Sequence, residues 1–394
     1  MEQLMFLCHR IPYPPDKGDK IRAWHMLSHL ALSYDVHLGC LIDDPADLVH
    51  VAALRAVCAS VSCHVIDKRR QRIKALLRAR PGRPLTLDYF YHAALQAWVR
   101  QTLPAMNQLF VYSSAMARYV LDDEAAMMAK TLDMVDVDSE KWSTYAQRAK
   151  WPMRLIWARE GRTLLAFERR AAAWFDHTLF VSSEECSRFE TLAPESHGRV
   201  RWVENGVDLE YFSPSQAGQN PYGQASCPVV FTGTMDYWPN ADAVDFFARS
   251  ALPLLHLRRP EVTFHVVGAN PTPEVQALAA LPGVHVTGRV ADTRPYIAHA
   301  ALAVAPLRIA RGIQNKVLEA MAMARPVLAS PQAFEGLRAQ SGRDLLVAEG
   351  AEALADSAAA ILDGGHAGLG MAGRQAVERG YAWPAVLQQL DRLL

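Results

Sequence analysis

At 394 residues the chain is long for one hydrophobic core, so two domains of roughly 150–200 residues each are expected. A hydrophobic share of 51% against 21% charged residues excludes a disordered chain. The 41 basic and 41 acidic residues cancel, which excludes a protein whose main work is coating nucleic acid. No apolar run approaches the ~18 residues of a spanning helix, and the N-terminal apolar stretch is too short for a signal peptide. Six cysteines at 8, 40, 58, 63, 186 and 227 show no C-x-x-C pair and no Cys/His ligand spacing. Reduced, buried thiols in a cytosol are therefore expected rather than disulfides or zinc.

In chain order, Leu4–Cys8 reads as a first strand, followed by the loop HRIPYPPDKGDK and an amphipathic helix from about Ile21 to Leu32. Val36–Leu41 and Val61–Ile66 follow as strands, with an Asp47–Ala59 helix between them. Leu109–Tyr112, Thr131–Val135, Thr178–Val181 and Val200–Val203 complete a first set. Strands alternating with helices indicate βαβ units and a parallel sheet. Residues 213–228, SPSQAGQNPYGQASCP, lack an apolar pattern and read as a linker after a first domain at 1–212. The alternation then restarts across a second domain at 229–380: Val229–Thr232, Thr263–Val267, His285–Thr287 and Leu302–Ala305 as strands, with Ala241–Phe247, Glu274–Ala280 and Arg294–Ala300 as helices. Residues 381–394 form an amphipathic terminal helix, packing either back on the first domain or on the second.

The most informative segment is Arg311–Ser330, RGIQNKVLEAMAMARPVLAS, between the apolar strands Ala301–Pro306 and Val327–Ser330. Strand, Gly-containing loop, helix and strand is the arrangement in which α/β proteins hold phosphate and ribose at the carboxyl edge of a sheet. Glu319 suits a pair of sugar hydroxyls, and Lys316 one turn earlier suits a diphosphate. A second cue, FTGTMDYWPN at 231–240, ends a strand in Gly233 and Thr234, whose backbone can approach an anion. A third, Glu204-Asn-Gly-Val-Asp208, is a tight turn with Tyr211, Phe212 and Pro214 after it. Lys68–Arg80 places seven basic residues around Ile73, Leu76 and Leu77. Such a helix either presents a solvated, salt-bridged face or lies on an anionic leaflet.

Taken together, ENGVDLEYF, the strand-Gly entry at Gly233, FHVVG at 264–268, VTGRV at 286–290 and LEAMAMARPVLAS resemble glycosyltransferase family four. The likeness is strong over the second half and weak over the first. GTMDYWPN with APLRIARGIQNKVLEAMA is most similar to the sugar transferases associated with bacterial exopolysaccharide and protein-sorting (PEP-CTERM) gene systems. The resemblance implies an α/β fold of the GT-B kind: two Rossmann-like domains facing each other across a cleft that takes a nucleotide-sugar donor.

Carried over by position, Glu319 matches the family's ribose-binding glutamate. Its partner glutamate, separated from it by seven intervening residues in the family's usual spacing, is replaced here by Arg311, and the basic pair after the first strand of the second domain is absent. Arg308, Arg311 and Lys316 are therefore expected to hold the diphosphate, with Gly233, Thr234 and Asn315 completing the donor set. The family's cleft loop falls on Lys17, Gly18 and Lys20; these lysines either meet an anionic acceptor or are solvated. Asp138 and Lys141 are expected as catalytic cleft residues, or else as a capping Asp and a solvated Lys. Asp136-x-Asp138 is similar to a metal motif that belongs with a single-domain glycosyltransferase fold, an architecture this chain lacks, so neither metal nor other cofactor is expected here.

The reading that follows is a retaining hexosyltransferase passing sugar to a polysaccharide or lipid-linked glycan in exopolysaccharide biosynthesis. It is expected in the bacterial cytoplasm, in peripheral contact with the anionic membrane through Lys68–Arg80, and without a nucleic-acid partner. The rivals are a catalytically silent GT-B partner subunit and a sugar-nucleotide epimerase.

Overall fold

Short runs rich in Val, Leu, Ile and Phe, buried along most of their length, form the central strands, as expected where helices cover both faces of a parallel sheet. The computed structural model describes residues 1–15, 18–121, 128–223, 227–310 and 312–393. Among these, the first set of strands is β1 (Glu2–Cys8), β2 (Tyr34–Ile42), β3 (Ser60–Val65), β4 (Gln108–Tyr112), β5 (Ala129–Val135), β6 (His177–Phe180) and β7 (Val200–Trp202). Their helices are α1 (Gly18–Leu30), α2 (Val51–Val57), α3 (Lys68–Leu77), α4 (Leu85–Tyr89), α5 (Ala93–Thr102), α6 (Asp138–Arg148), α7 (Met153–Trp174) and α8 (Ser183–Leu192). The second set is β8 (Cys227–Thr232), β9 (Val262–Val267), β10 (Val284–Gly288), β11 (Leu302–Ala305), β12 (Val327–Ala329) and β13 (Leu346–Val347). It carries α9 (Trp238–Phe246), α10 (Leu252–His256), α11 (Pro273–Ala277), α12 (Arg294–Ala298), α13 (Asn315–Ala322), α14 (Pro331–Phe334), α15 (Gly350–Leu362), α16 (Leu369–Gly380) and α17 (Trp383–Leu387).

Both sheets are parallel, in the orders β3-β2-β1-β4-β5-β6-β7 and β10-β9-β8-β11-β12-β13. Each is a Rossmann-like order, and its direction of winding reverses once: between β1 and β4 in the first, between β8 and β11 in the second. Ligands of open α/β sheets bind at such reversals, beyond the carboxyl ends of the strands. Each sheet has its own core. One gathers Met5, Leu7, Leu109, Val111, Leu132 and Leu164; the other gathers Val229, Phe231, Val266, Leu302, Leu328 and Met321.

The chain separates into two compact units, Met1–Glu204 together with the residues from Leu387 onward, and Asn205–Val386. The division thus precedes the expected linker. Residues 213–223 pack on the second unit because Tyr222 is buried there. Its hydroxyl donates to the Tyr296 carbonyl at 2.6 Å, and His299 donates to the Gly218 carbonyl at 3.1 Å. Residues 224–226 lie outside the described residues. The terminal segment is not one continuous helix. After α17 it turns and makes a single 3-10 turn at Leu390–Arg392, where Asp391 pairs with His29 at 2.6 Å and the Leu393 carbonyl accepts from Thr131 Oγ1 at 3.3 Å.

Candidate functional sites at the two sheet reversals

In the second unit, β8 runs into Gly233 with φ at 156°. A Cβ there would lie 2.7 Å from Asn240 Nδ2, and one on Gly268 would lie 1.7 Å from the Gly233 carbonyl oxygen. Glycine at both positions lets the ends of β8 and β9 close together. The loop is fixed by Gly233 N–H to Val267 O (3.0 Å), Met235 N–H to Ala269 O (2.8 Å) and Asn240 Nδ2 to Thr234 O (2.9 Å). Lys316, in the first turn of α13, reaches back to this loop. Its Nζ donates to Asn240 Oδ1 at 2.6 Å and sits 4.8 Å from the Phe231 ring centre. The N-cap residue of α13, Gln314, makes no side-chain capping hydrogen bond, so the first-turn N–H groups and dipole of the helix favour an anion.

Glu319 follows one turn after Lys316. Burial pulls the lysine down to about 8 against the pull of Glu319. Burial likewise pushes the Glu319 carboxyl up to about 7 against the pull of Lys316. Both residues still reach solvent. The result is a cation and a carboxylate held in a poorly hydrated edge, each readily stabilised by a ligand of the opposite polarity. Tyr211 lies close enough to Glu319 to feel its charge, with the Arg294 guanidinium 3.9 Å over the tyrosine ring and paired to Asp292 at 2.7 Å.

The remaining residues expected on the donor side are placed as follows. Asn315 accepts from Asn205 Nδ2 at 3.3 Å, within the ENGVD turn. Arg308 follows β11 at the reversal but makes two hydrogen bonds to Asp242 of α9, at 2.9 and 2.5 Å. Arg311 lies outside the described residues. Of the expected cations among the described residues, therefore, Lys316 is the one drawn to Gly233.

The first unit's reversal assembles a group that sequence reasoning missed. His9 and Arg10 follow β1 directly, and Asp19 stands in the first turn of α1. Arg10 Nη1 reaches Asp19 at 2.5 Å, His9 Nε2 reaches it at 3.5 Å, and Arg10 Nε meets Asp43 at 3.2 Å. Against the upward push of burial, His9 and Arg10 hold the Asp19 carboxyl well below its usual range. The His9 ring stacks on Tyr112, centroids 5.9 Å apart. The only available signal was position, a His-Arg pair at the carboxyl end of the first strand.

Opposite them, β5 ends in a bulge where Val135 adopts φ +67°. A β-branched residue in that region is strained. The conformation is held by Val135 N–H to Asp133 Oδ1 (2.9 Å), and Asp133 is itself locked by Arg22 (2.8 Å), both buried. The bulge delivers Asp136 and Asp138. Burial, then Glu185 and Asp138, push the Asp136 carboxyl up to about 7, although the residue still reaches solvent. Burial raises Asp138 too, opposed by Lys141, His9 and Arg10. Asp138 is the first residue of α6 and does not cap it, Val137 occupying that position; Lys141 is exposed one turn on.

The acceptor-loop expectation requires a correction. Lys20 is 2% exposed and donates to Asp47 at 2.8 Å, so it is not a solvated loop lysine. The helix starts at Gly18, which turns Lys20 inward. Lys17 lies outside the described residues. Among the described residues, no three or more His, Cys, Asp or Glu side chains are grouped to hold a metal ion, and no helix is long and apolar enough to cross a membrane.

Residues 227–364 match the family model described as glycosyl transferases group 1. No curated protein matches the chain significantly by sequence. Among solved structures, HepE of Anabaena in complex with UDP and glucose superposes with a TM-score of 0.68 at 14% identity, covering 100% of this chain and 99% of its own. Sucrose-phosphate synthase of Thermosynechococcus elongatus gives 0.71 at 16% identity, with 100% and 98% covered. WaaG, a glycosyltransferase involved in lipopolysaccharide biosynthesis, gives 0.64 at 14% identity, with 99% of both chains covered. The group 1 match in the second unit, carried on a GT-B fold that spans the whole chain, makes this protein a glycosyltransferase.

Proposed function

We propose that the protein is a retaining hexosyltransferase of glycosyltransferase family four. It would pass sugar from a nucleoside-diphosphate donor to a polysaccharide or lipid-linked glycan in bacterial exopolysaccharide biosynthesis, on the cytoplasmic side of a membrane touched through residues 68–80. The observation that carries this reading is the Lys316–Glu319 pair beside the Gly233–Thr234 loop. Glu319 accepts hydrogen bonds from the two ribose hydroxyls. Lys316, the first-turn N–H groups of α13 and the backbone at Gly233–Thr234 take up charge as the bond from the sugar carbon to the diphosphate breaks. Arg308 joins them by exchanging Asp242 for phosphate, and Arg311 supplies a further cation.

With these cations in place the leaving group needs no metal, and transfer is expected to persist in EDTA. Asp138 and Lys141, near His9 and Arg10, orient the acceptor hydroxyl; no enzymatic nucleophile is assigned. HepE was solved with UDP and with UDP-glucose, which makes a UDP-sugar the first donor to try.

The test is a thermal-shift screen with UDP, GDP and ADP, followed by assay of donor hydrolysis and transfer. A nucleotide that binds the native state raises the melting temperature by mass action. No shift with any nucleotide would sink the reading. One observation favours a silent partner subunit: Arg308 is already satisfied by Asp242. Nucleotide binding without hydrolysis or transfer would support that alternative. The His9, Asp19 and Asp138 group favours an epimerase over a binding module, and conversion of a sugar nucleotide without any acceptor would select it.

A further inference from the structure

Cysteines gather at one edge of the first sheet. Cys8 of β1 is the register partner of Cys40 on β2, and Cys40 is in turn the partner of Cys63 on β3. Partners in a parallel ladder project to one face of the sheet. β2 turns its other face, at Gly39, to Leu95 and Trp98 of α5. The thiol row therefore lies on the side where α2 packs. Arg55 of α2 is close enough to Cys63 to act on its charge, and Cys58 follows the same helix. Within the row, Cys40 Sγ and Cys63 Sγ stand 3.1 Å apart. The grouping is not one that could hold a metal ion.

The two thiols of the close pair are unlike. Cys40 is fully buried, whereas Cys63 stands on the edge strand of the sheet and is partly exposed. The hydrogen bond to Cys63, with burial, holds the Cys40 thiol well above its usual range. The same bond, with Arg55, draws Cys63 below its usual value against the push of burial. Cys40 thus donates its S–H and Cys63 accepts it, so Cys63 is the sulfur poised as a thiolate within reach of solvent. Burial pushes both Cys8 and Cys58 up to about 12, which leaves them as inert thiols. Adjacent strands run about 4.8 Å apart, inside the roughly 4.4–6.8 Å between Cα atoms that a disulfide spans. A Cys40–Cys63 bond can therefore close with the strands where they are.

We propose that Cys40 and Cys63 form a redox-active dithiol whose oxidant is a hydroperoxide. The Cys63 thiolate attacks one peroxide oxygen, the O–O bond breaks, and the departing hydroxide takes up a proton, leaving Cys63 as a sulfenic acid. The Cys40 sulfur gives up its proton and attacks the Cys63 sulfur. The S–O bond breaks and the departing hydroxide takes that proton, leaving as water. Two thiols and one hydrogen peroxide thus yield one disulfide and two waters. A dithiol reverses the step by thiol–disulfide exchange. The bond fastens the edge strand β3 to the strand that leads into Asp43, the carboxylate that Arg10 meets at 3.2 Å. It is independent of the donor-site reading.

The test treats the full, reduced chain with a small molar excess of hydrogen peroxide, then with N-ethylmaleimide in denaturant, and maps its tryptic peptides by mass spectrometry. Two of the six thiols should be lost and should return with dithiothreitol. The peptide carrying Cys40 should be joined to the one carrying Cys63. Cys58 lies on that second peptide, between Arg55 and Lys68, so the map is repeated on Cys58→Ser, which should keep the bond. Cys63→Ser, at a partly exposed position, should leave Cys40 unmodified. Cys40→Ser should halt Cys63 as a sulfenic acid that dimedone traps. Circular dichroism should be unchanged in all three variants. Six free thiols after peroxide that oxidises glutathione under the same conditions would overturn the proposal. So would a bond joining Cys8 to Cys40, or a Cys63 that proceeds to sulfinic acid in the parent chain without joining Cys40.

Discussion

Replacing Glu319 by Gln separates a binding role from a structural one, because the two predict effects of opposite sign. As ribose acceptor, the carboxylate makes charged hydrogen bonds worth about 1.5–3 kcal/mol, so the Gln variant should bind UDP or UDP-glucose some ten- to a hundredfold more weakly. In the free protein the charge is a burden. A carboxyl whose pKa stands at about 7 instead of 4.5 costs on the order of 3 kcal/mol when ionised at pH 8. Glu319 is partly open to water, which reduces that to about 1–2 kcal/mol. The sign follows from proton binding: with a raised folded pKa, stability is highest below 4.5 and falls as pH rises through about 7. The unliganded Gln variant should therefore melt higher than the parent at pH 8 and converge with it at pH 5. Isothermal titration calorimetry and urea unfolding read the two halves independently. Unchanged affinity, or a free variant less stable at pH 8, would refute the reasoning.

Three further outcomes are expected. UDP-glucose affinity should peak between the Glu319 and Lys316 values of about 7 and 8. It should fall below that window as the carboxylate protonates and above it as the ammonium is lost; a flat profile from pH 6 to 9 would count against both assignments. Gly268→Ala sets a Cβ 1.7 Å from the Gly233 carbonyl, so the end of β8 must shift, with a loss of about 1–3 kcal/mol in stability and a marked loss of nucleotide binding by thermal shift. Arg22→Ala strands Asp133, which is fully buried, and should cost about 3–5 kcal/mol by urea unfolding; a loss below 1 kcal/mol would show that the pair is not needed to hold the β5 bulge.

Much of the fold was legible because its signals are local. Buried runs such as Val229–Thr232 and Leu302–Ala305 alternate with amphipathic helices, and that pattern is a parallel α/β sheet whatever the loops do. Glu319 and Lys316 were legible for the same reason: one helical turn separates them, so sequence spacing alone puts them together. One buried tyrosine, Tyr222, ties the polar stretch to the second unit, an anchor that composition cannot weigh. Lys20 was misread because its partner, Asp47, stands 27 residues away across α1 and β2.

From the sequence alone come the alternation of elements, the repeat of that alternation in two halves and the one-turn spacing of Lys316 and Glu319, since each depends on contacts within a turn or between neighbouring residues. Only the tertiary structure decides that Gly268 lies against Gly233, that His9, Arg10, Asp19 and Asp138 meet at one sheet edge, and that Arg159 of α7 holds the turn after α3. Those contacts join residues far apart in the chain, and strand order, which places β1 beside β4 and β8 beside β11, is set by packing over the whole sheet rather than by any local run.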